Sequence, residues 1–368
     1  MDHSQTVDDM IFLCRAAING VSPDKTYAEQ IDRDKVIAVS SRHLISAIVS
    51  VSLESAGLGN EKTSAAIMSS VRKNTIFDAA LSELKTKLEE NNIRFMPLKG
   101  AVLKHLYPKY GMREFADYDV LIDPSRADDV KTIMESLGFE TKSFGVSNQD
   151  VYYRRPLLNF EIHTALFGSE HDEAFREYYS SVFDRLVGDG CEKRFTPEDF
   201  YVYFIAHEYK HFSNAGTGIR SLLDTYVLLR NACLDRDYVV AETEKLGIGE
   251  FEEKNRSLAL HLFGDGKITE NDREMLDYIV SSGTYGTVDN RVRNTLKKKN
   301  QTKFGYMISR FSVPFSKKNG RYVAFAASYP FFYKNKILLP VLPFYRVLLS
   351  MKKGVFKAEA DAIRKAKR

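Results

Sequence analysis

Between Met96 and Asp123 an apolar run ends in Lys99-Gly100, the stretch Ala101-Val-Leu-Lys-His-Leu-Tyr107 follows, and the chain then enters Asp117-Tyr-Asp-Val-Leu-Ile-Asp123. Side chains on a strand alternate faces, so Asp117 and Asp119 point one way while Tyr118 and Val120 face the opposite layer. Two carboxylates on one face can bridge hard cations. Taken alone, the pair also describes a solvated edge strand charged at its entrance. The neighbours favour a nucleotide and metal site. Gly100, between strand and helix, lets the backbone approach a phosphate; the N-terminus of the following helix favours the anion, and Lys99 adds a point charge.

The hydrophobic period changes twice along the chain. From about residue 7 to 92 it is helical, with Ile67, Val71, Phe77, Leu81, Leu84 and Leu88 mostly three and four apart and Asn91-Asn92 as a stop. From 93 to 168 it breaks into short pieces: a strand from Ile93 to Leu98, a helix from Ala101 to Tyr107 and a strand from Tyr118 to Ile122. A helix capped by Ser125, with Asp128 at its third position, buries Val130, Ile133, Met134 and Leu137 and ends at Gly138. Further strands are expected near Glu140 to Phe144, Asp150 to Arg154 and Asn159 to Leu166. From 195 the pattern is helical again, opened by Thr196 as cap, Pro197 at the first position and the acids Glu198 and Asp199 in the first turn. The expected organisation is an N-terminal helical segment (1–92), an α/β core (93–168) and a C-terminal helical domain with a basic tail (169–368).

At 368 residues, with 20 Tyr and 24 Phe, the chain has ample material for a large buried core. A net charge of +4 does not by itself imply nucleic acid. Cys14, Cys191 and Cys233 are an odd set without Cys-x-x-Cys spacing, which argues against a disulfide framework or a cysteine-ligated metal. Cytoplasm is the expected compartment: the N-terminus is acidic and polar where a signal peptide would be basic and then apolar. No transmembrane segment is expected, because Lys334, Lys336, Pro340 and Pro343 interrupt the best candidate, between Tyr322 and Leu349.

Phosphoryl-type transfer needs carboxylates for Mg²⁺, a tight turn near the phosphates and cations that spread charge at the transition state. Asp117 and Asp119, Lys99-Gly100 and Arg113 answer these needs in turn. Glu161 and His163 alternate in phase on the later strand, so both share the aspartates' side if the two strands are neighbours. The competing role for Glu161 is an ion pair with Arg154 or Arg155.

Together these residues resemble the nucleotidyltransferase superfamily related to DNA polymerase β, and more closely its bacterial branch called nucleotidyltransferase family 5. The motifs are Lys99-Gly100, Tyr107-Pro108, Arg113, Asp117-Tyr-Asp119, Glu161-Ile-His163, His207 with His211, and Arg220 with Asp224. The resemblance implies an α/β (α+β) fold built on a minimal mixed sheet with flanking helices. It also implies two Mg²⁺ ions held by Asp117, Asp119 and Glu161, with these three as catalytic residues. Lys99, Gly100, Arg113 and His163 would bind the nucleotide, and a nucleoside monophosphate would pass from an NTP to an acceptor: a small molecule, sugar, protein or nucleic acid. Two departures from the superfamily stand out. Lys99 replaces the small partner of the glycine turn, and Glu161 stands where aspartate is usual.

Two other readings compete. His207-Glu208-Tyr-Lys-His211 is a literal H-E-x-x-H, so a zinc-dependent hydrolase is an alternative, with Glu242 or Glu244 as a distant third ligand. The bland counterpart places Phe200, Phe204, His207 and His211 on one stripe at the edge of an aromatic core. A non-catalytic NTP-binding scaffold is the second. The tail from Lys352 to Arg368, seven basic residues against two acidic, is either a solvated helix end or a weak contact for an anionic surface.

Overall fold

Short apolar runs, buried along their whole length, and alternating runs in the middle of the chain form five strands: β1 (Phe95–Pro97), β2 (Tyr118–Ile122), β3 (Glu140–Ser143), β4 (Gln149–Arg154) and β5 (Leu158–His163). The computed structural model, which describes residues 3–168, 171–298, 302–316, 321–352 and 355–365, joins them into one sheet in the order β1-β2-β5-β4-β3. β2 and β5 run parallel and the other neighbours antiparallel, so the sheet is mixed and the fold is α+β with flanking helices.

One face of the sheet is apolar. Tyr118, Val120, Ile122, Tyr152, Phe160 and Ile162 are buried there against Phe77, Leu81, Leu84 and Leu88 of the long helix Glu61–Glu90 and against Val130, Ile133 and Met134 of the helix Ala127–Ser136. Each such side chain contributes about 1.5–3 kcal/mol when fully buried. Only the second half of the long helix follows the expected stripe. In its first half Ile67 and Val71 are half-buried, and Thr63, Ser70 and Asn74 are the buried residues. Ser70 Oγ donates to the Gly111 carbonyl at 2.6 Å and Asn74 Nδ2 to the Arg113 carbonyl at 3.4 Å. A polar stripe there clamps the loop that leads into β2.

The helix after β2 starts differently from the expectation. Ser125 does not cap it: Arg126 stands at the N-cap with no side-chain bond, and Asp123 caps the turn ahead of the helix, its carboxylate accepting from the Ser125 amide at 3.1 Å and from Ser125 Oγ at 2.7 Å. Pro124 follows as the first residue of a short 3₁₀ turn, Pro124–Arg126, that leads into the helix. Proline needs no amide partner at that position, which suits the residue before it to capping. Gly138, at φ +79°, closes the helix as expected.

The other face of the sheet is roofed by helices. Met96, Leu98 and Leu121 join a larger core shared by the N-terminal helices His3–Ile18, Arg33–Arg42 and Ser46–Ser55 and the C-terminal helices Pro197–Phe212, Ile219–Asn231 and Gly249–Phe263. Thr196 caps Pro197–Phe212 as expected, accepting from the Asp199 amide. N- and C-terminal helices are stitched together directly, Arg15 Nε donating to the Leu262 carbonyl and the Tyr226 hydroxyl to Asn19 Oδ1. Among the described residues no helix is long and apolar enough to cross a membrane. Of the basic tail, residues 353, 354 and 366–368 lie outside the described residues; the rest includes the helix Val355–Lys365.

Candidate active site

Parallel pairing of β2 with β5 sets Asp119 directly opposite Glu161, with His163 two residues further along the same face. One ligand atom each of Asp119, Glu161 and His163 lie within 4.8 Å of one another. Asp119 Oδ1 accepts from Lys99 Nζ and from His163 Nε2, both at 2.8 Å. Glu161 Oε2 accepts from Gln149 Nε2 at 2.6 Å and lies 4.0 Å from His163 Nε2. The ion pair considered for Glu161 does not form, because Arg154 reaches Glu83 instead. Asp117 sits half-buried just before β2, outside the three-residue cluster but inside its field.

Crowded carboxylates in a desolvated place separate their affinities for protons. Burial, then the charges of Asp119 and Asp117, push the Glu161 carboxyl up to about 7. Burial and Asp119 likewise raise Asp117. Burial would raise Asp119 too, but the Lys99 ammonium and the hydrogen bond from His163 outweigh it and hold Asp119 well below the usual carboxylate range. Burial works against the charge on Lys99 and is outweighed by Asp119, so the ammonium is retained. For His163 burial wins over Asp119 and the imidazole is pushed down. A neutral ring beside an ionised carboxylate carries its proton on the nitrogen that faces it, here Nε2. His163 Nδ1 is buried with no hydrogen-bond partner among the described residues.

The turn that delivers Lys99 is built differently from the sequence expectation. Lys99 itself takes the positive φ, +42° with ψ −111°, a conformation that costs a residue with a side chain on the order of 1–3 kcal/mol. Gly100 supplies clearance: a Cβ there would lie 2.6 Å from Arg113 Nη1. The helix it opens, Gly100–Leu103, has four residues. So short a helix aligns too few peptide dipoles to draw an anion as expected.

Arg113, expected at the triphosphate, is 5% exposed and gives its fork to Asp224, Nε to Oδ1 at 2.7 Å and Nη2 to Oδ2 at 2.8 Å. The Tyr107 hydroxyl donates to the same Oδ1 at 2.7 Å. Arg220 Nη1 donates to the Glu114 carbonyl at 3.0 Å, and the Glu114 carboxylate accepts from Ser46 Oγ and the Ala47 amide. The loop that carries Asp117 is thus fastened to both helical layers.

His207 and His211 border this site. Their Nε2 atoms are 3.2 Å apart, and burial followed by the charge of Lys99 drives His207 well below its ordinary range. Among the described residues no His, Cys, Asp or Glu joins them in a ligand set of three. Glu208 turns to Thr217, while Glu242 is engaged by Tyr178, Arg185 and Lys245. Lys99, Arg113, His207, Glu208, Arg220 and Asp224 help line a cavity of about 60 Å³, room for about two waters.

Two contributors were not visible as site residues in the sequence. Gln149 holds Glu161, and its signal was only its phase with His163, opposite which it pairs. Lys73, on the long helix, donates to the Phe115 carbonyl and places its charge near Asp117; no local pattern marks it.

No curated protein and no solved structure matches the chain. The model of a family described as uncharacterised nucleotidyltransferase matches residues 29–264. That range contains the whole sheet, Lys99, the three acids, the histidine pair and Asp224, and the chain belongs to this nucleotidyltransferase family.

Proposed function

We propose that the chain transfers a nucleoside monophosphate from an NTP to an acceptor, using Mg²⁺ held by Asp117, Asp119 and Glu161. The register that sets Asp119 beside Glu161, two residues after Asp117, carries this reading. Asp119 and Glu161 side by side, with Asp117 in their field, repel one another, and a divalent cation relieves that repulsion. Their carboxylate oxygens are hard donors that suit Mg²⁺, and the bond from His163 to Asp119 Oδ1 orients a ligand in the way outer partners of metal ligands do. Mg²⁺ bound there would neutralise charge as it develops on the transferring phosphoryl group.

The remaining work falls to the chain's own groups. Lys99 Nζ, fixed against Asp119, is the direct phosphate cation. Glu161 completes the acidic set or takes the proton of the acceptor hydroxyl. That oxygen bonds the α-phosphorus as the bond from phosphorus to the bridging oxygen breaks, and pyrophosphate leaves with the electron pair. His163 orients Asp119, and Arg113 with Gly100 positions the Lys99 turn.

Mg²⁺ titration calorimetry tests the reading together with a pyrophosphate assay on mixed NTPs. Wild type binds Mg²⁺ and Asp117→Asn loses both binding and turnover; turnover that survives in Asp117→Asn refutes the assignment. Glu161→Gln lowers kcat with nucleotide affinity kept if Glu161 is the base, and a pure affinity loss would make it a ground-state ligand.

A further inference from the structure

Charge is distributed unevenly along this chain. Residues 303–368 hold 15 Lys and Arg against 2 Asp and Glu, whereas residues 1–302 hold 38 against 47. The modest overall balance conceals a strongly cationic C-terminal sixth joined to an acidic remainder.

The same segment carries its apolar side chains outward. On the helix Lys303–Ser312, Phe304, Met307, Ile308 and Phe311 recur at the spacing of one helical face, and all four are exposed, Phe304 at 72%. The opposite side of that helix is anchored by polar contacts, the buried Tyr306 donating to Glu359 and Arg310 pairing with it. On the helix Leu342–Lys352, Phe344, Leu348 and Met351 form a second exposed stripe. The rings of Phe311 and Phe344 meet at 5.7 Å, which makes the two stripes continuous. Ile337, 92% exposed, and Val341 extend the patch, and Lys334, Lys336 and Lys352 are exposed in the same stretch of the chain.

We propose that this face docks on the surface of an anionic phospholipid bilayer. Exposed aliphatic and aromatic side chains interleaved with lysines are the composition of a helix that lies in the headgroup region: apolar groups enter the acyl boundary, and cations meet the lipid phosphates. Charge complementarity selects an anionic surface, and the aliphatic content selects lipid over nucleic acid, which offers no apolar phase for Ile337, Leu348 or Met351. Among the described residues no helix is long and apolar enough to cross a membrane, and the contact proposed is an interfacial one. The proposal stands apart from the transferase reading and uses none of its residues.

Flotation of the full chain with vesicles tests it, comparing phosphatidylcholine alone with phosphatidylcholine containing phosphatidylglycerol. The chain partitions at least about tenfold more strongly onto the anionic vesicles, and added salt weakens the binding. The double variant Ile337→Asp, Phe344→Asp abolishes flotation while its circular dichroism and melting stay as in wild type. Because the chain has no Trp, Phe344→Trp gives a single fluorophore whose emission shifts to the blue on anionic vesicles. Equal flotation on both vesicle types, or flotation untouched by the two aspartates, overturns the proposal. So does a lipid-free dimer dissolved by Ile337→Asp, which would show that a second copy covers the face. Binding of an RNA or DNA oligonucleotide without vesicle binding overturns it equally.

Discussion

Asp117 and Asp119 look equivalent in the sequence but have opposite energetic roles. Asp119 is 5% exposed and accepts from Lys99 and His163, whereas Asp117 is half-buried, with its carboxyl raised by burial and by Asp119. Both Asp117→Asn and Asp119→Asn abolish Mg²⁺-dependent turnover, but only Asp119→Asn also lowers stability, because it strands a buried ammonium; breaking such a pair costs about 3–5 kcal/mol. Urea melts of the two metal-free variants check this, and equal stabilities would contradict it. Glu161 predicts a pH dependence. Its carboxyl titrates at about 7 in the folded chain against an ordinary 4.5, so between those values the folded state holds more protons than the unfolded one. The contribution of Glu161 to the stability of the metal-free protein therefore falls as pH rises through that window, by at most about 1.4 kcal/mol per unit, and levels off above it, while the buried imidazoles of His163, His207 and His211, all pushed down, give the opposite slope below their ordinary 6.5. Asp119, shifted the other way, loses its contribution only in strong acid. Thermal melts from about pH 5 to pH 8 test the slope. The Glu161 contribution is the difference between wild type and Glu161→Gln: the stability of wild type relative to the variant falls across the range, and a difference that stays constant or rises contradicts the account.

At the scale of elements, the loop from Tyr107 to Asp117 is the joint of the site. Its Tyr107 and Arg113 converge on Asp224 of the helix Ile219–Asn231, more than a hundred residues away. Arg113→Ala leaves Asp224 buried without its cation and destabilises the chain by about 3–5 kcal/mol, and a double-mutant cycle with Asp224→Ala shows strong coupling; additive losses would mean the pair is not the fastening. Gly100→Ala drives a methyl against Arg113 Nη1 and lowers activity by displacing Lys99, with Mg²⁺ binding retained. Local signals were legible here. The apolar run Val120-Leu121-Ile122 marked β2, and Thr196-Pro197 and Gly138 marked real helix ends. What the sequence did not disclose depends on partners distant along the chain: the commitment of Arg113 to Asp224, the clearance role of Gly100, and the polar face of Glu61–Glu90 turned to the β2 loop. The 3₁₀ turn that Asp123 caps ahead of the helix is a local detail that the following Pro124 signals only weakly.

Across the whole molecule, one sheet divides the work. Its apolar face supports the strands, and its acidic face looks into the layer where N- and C-terminal helices share a core. The histidine pair, for which a zinc motif was the alternative to a place at the edge of an aromatic core, borders that acidic face beside Lys99. The order β1-β2-β5 is what brings Glu161 to Asp119; the family resemblance pointed to it, and residue spacing alone left it open. A site of acids and a lysine facing a triphosphate can move either the γ-phosphoryl group or the nucleoside monophosphate. The most direct test supplies NTPs labelled at the α- or the γ-phosphate, with a cell extract as the source of acceptor. The account predicts Mg²⁺-dependent incorporation of the α-label with release of pyrophosphate, lost in Asp117→Asn. Incorporation of the γ-label alone, with ADP as the product from ATP, would contradict it.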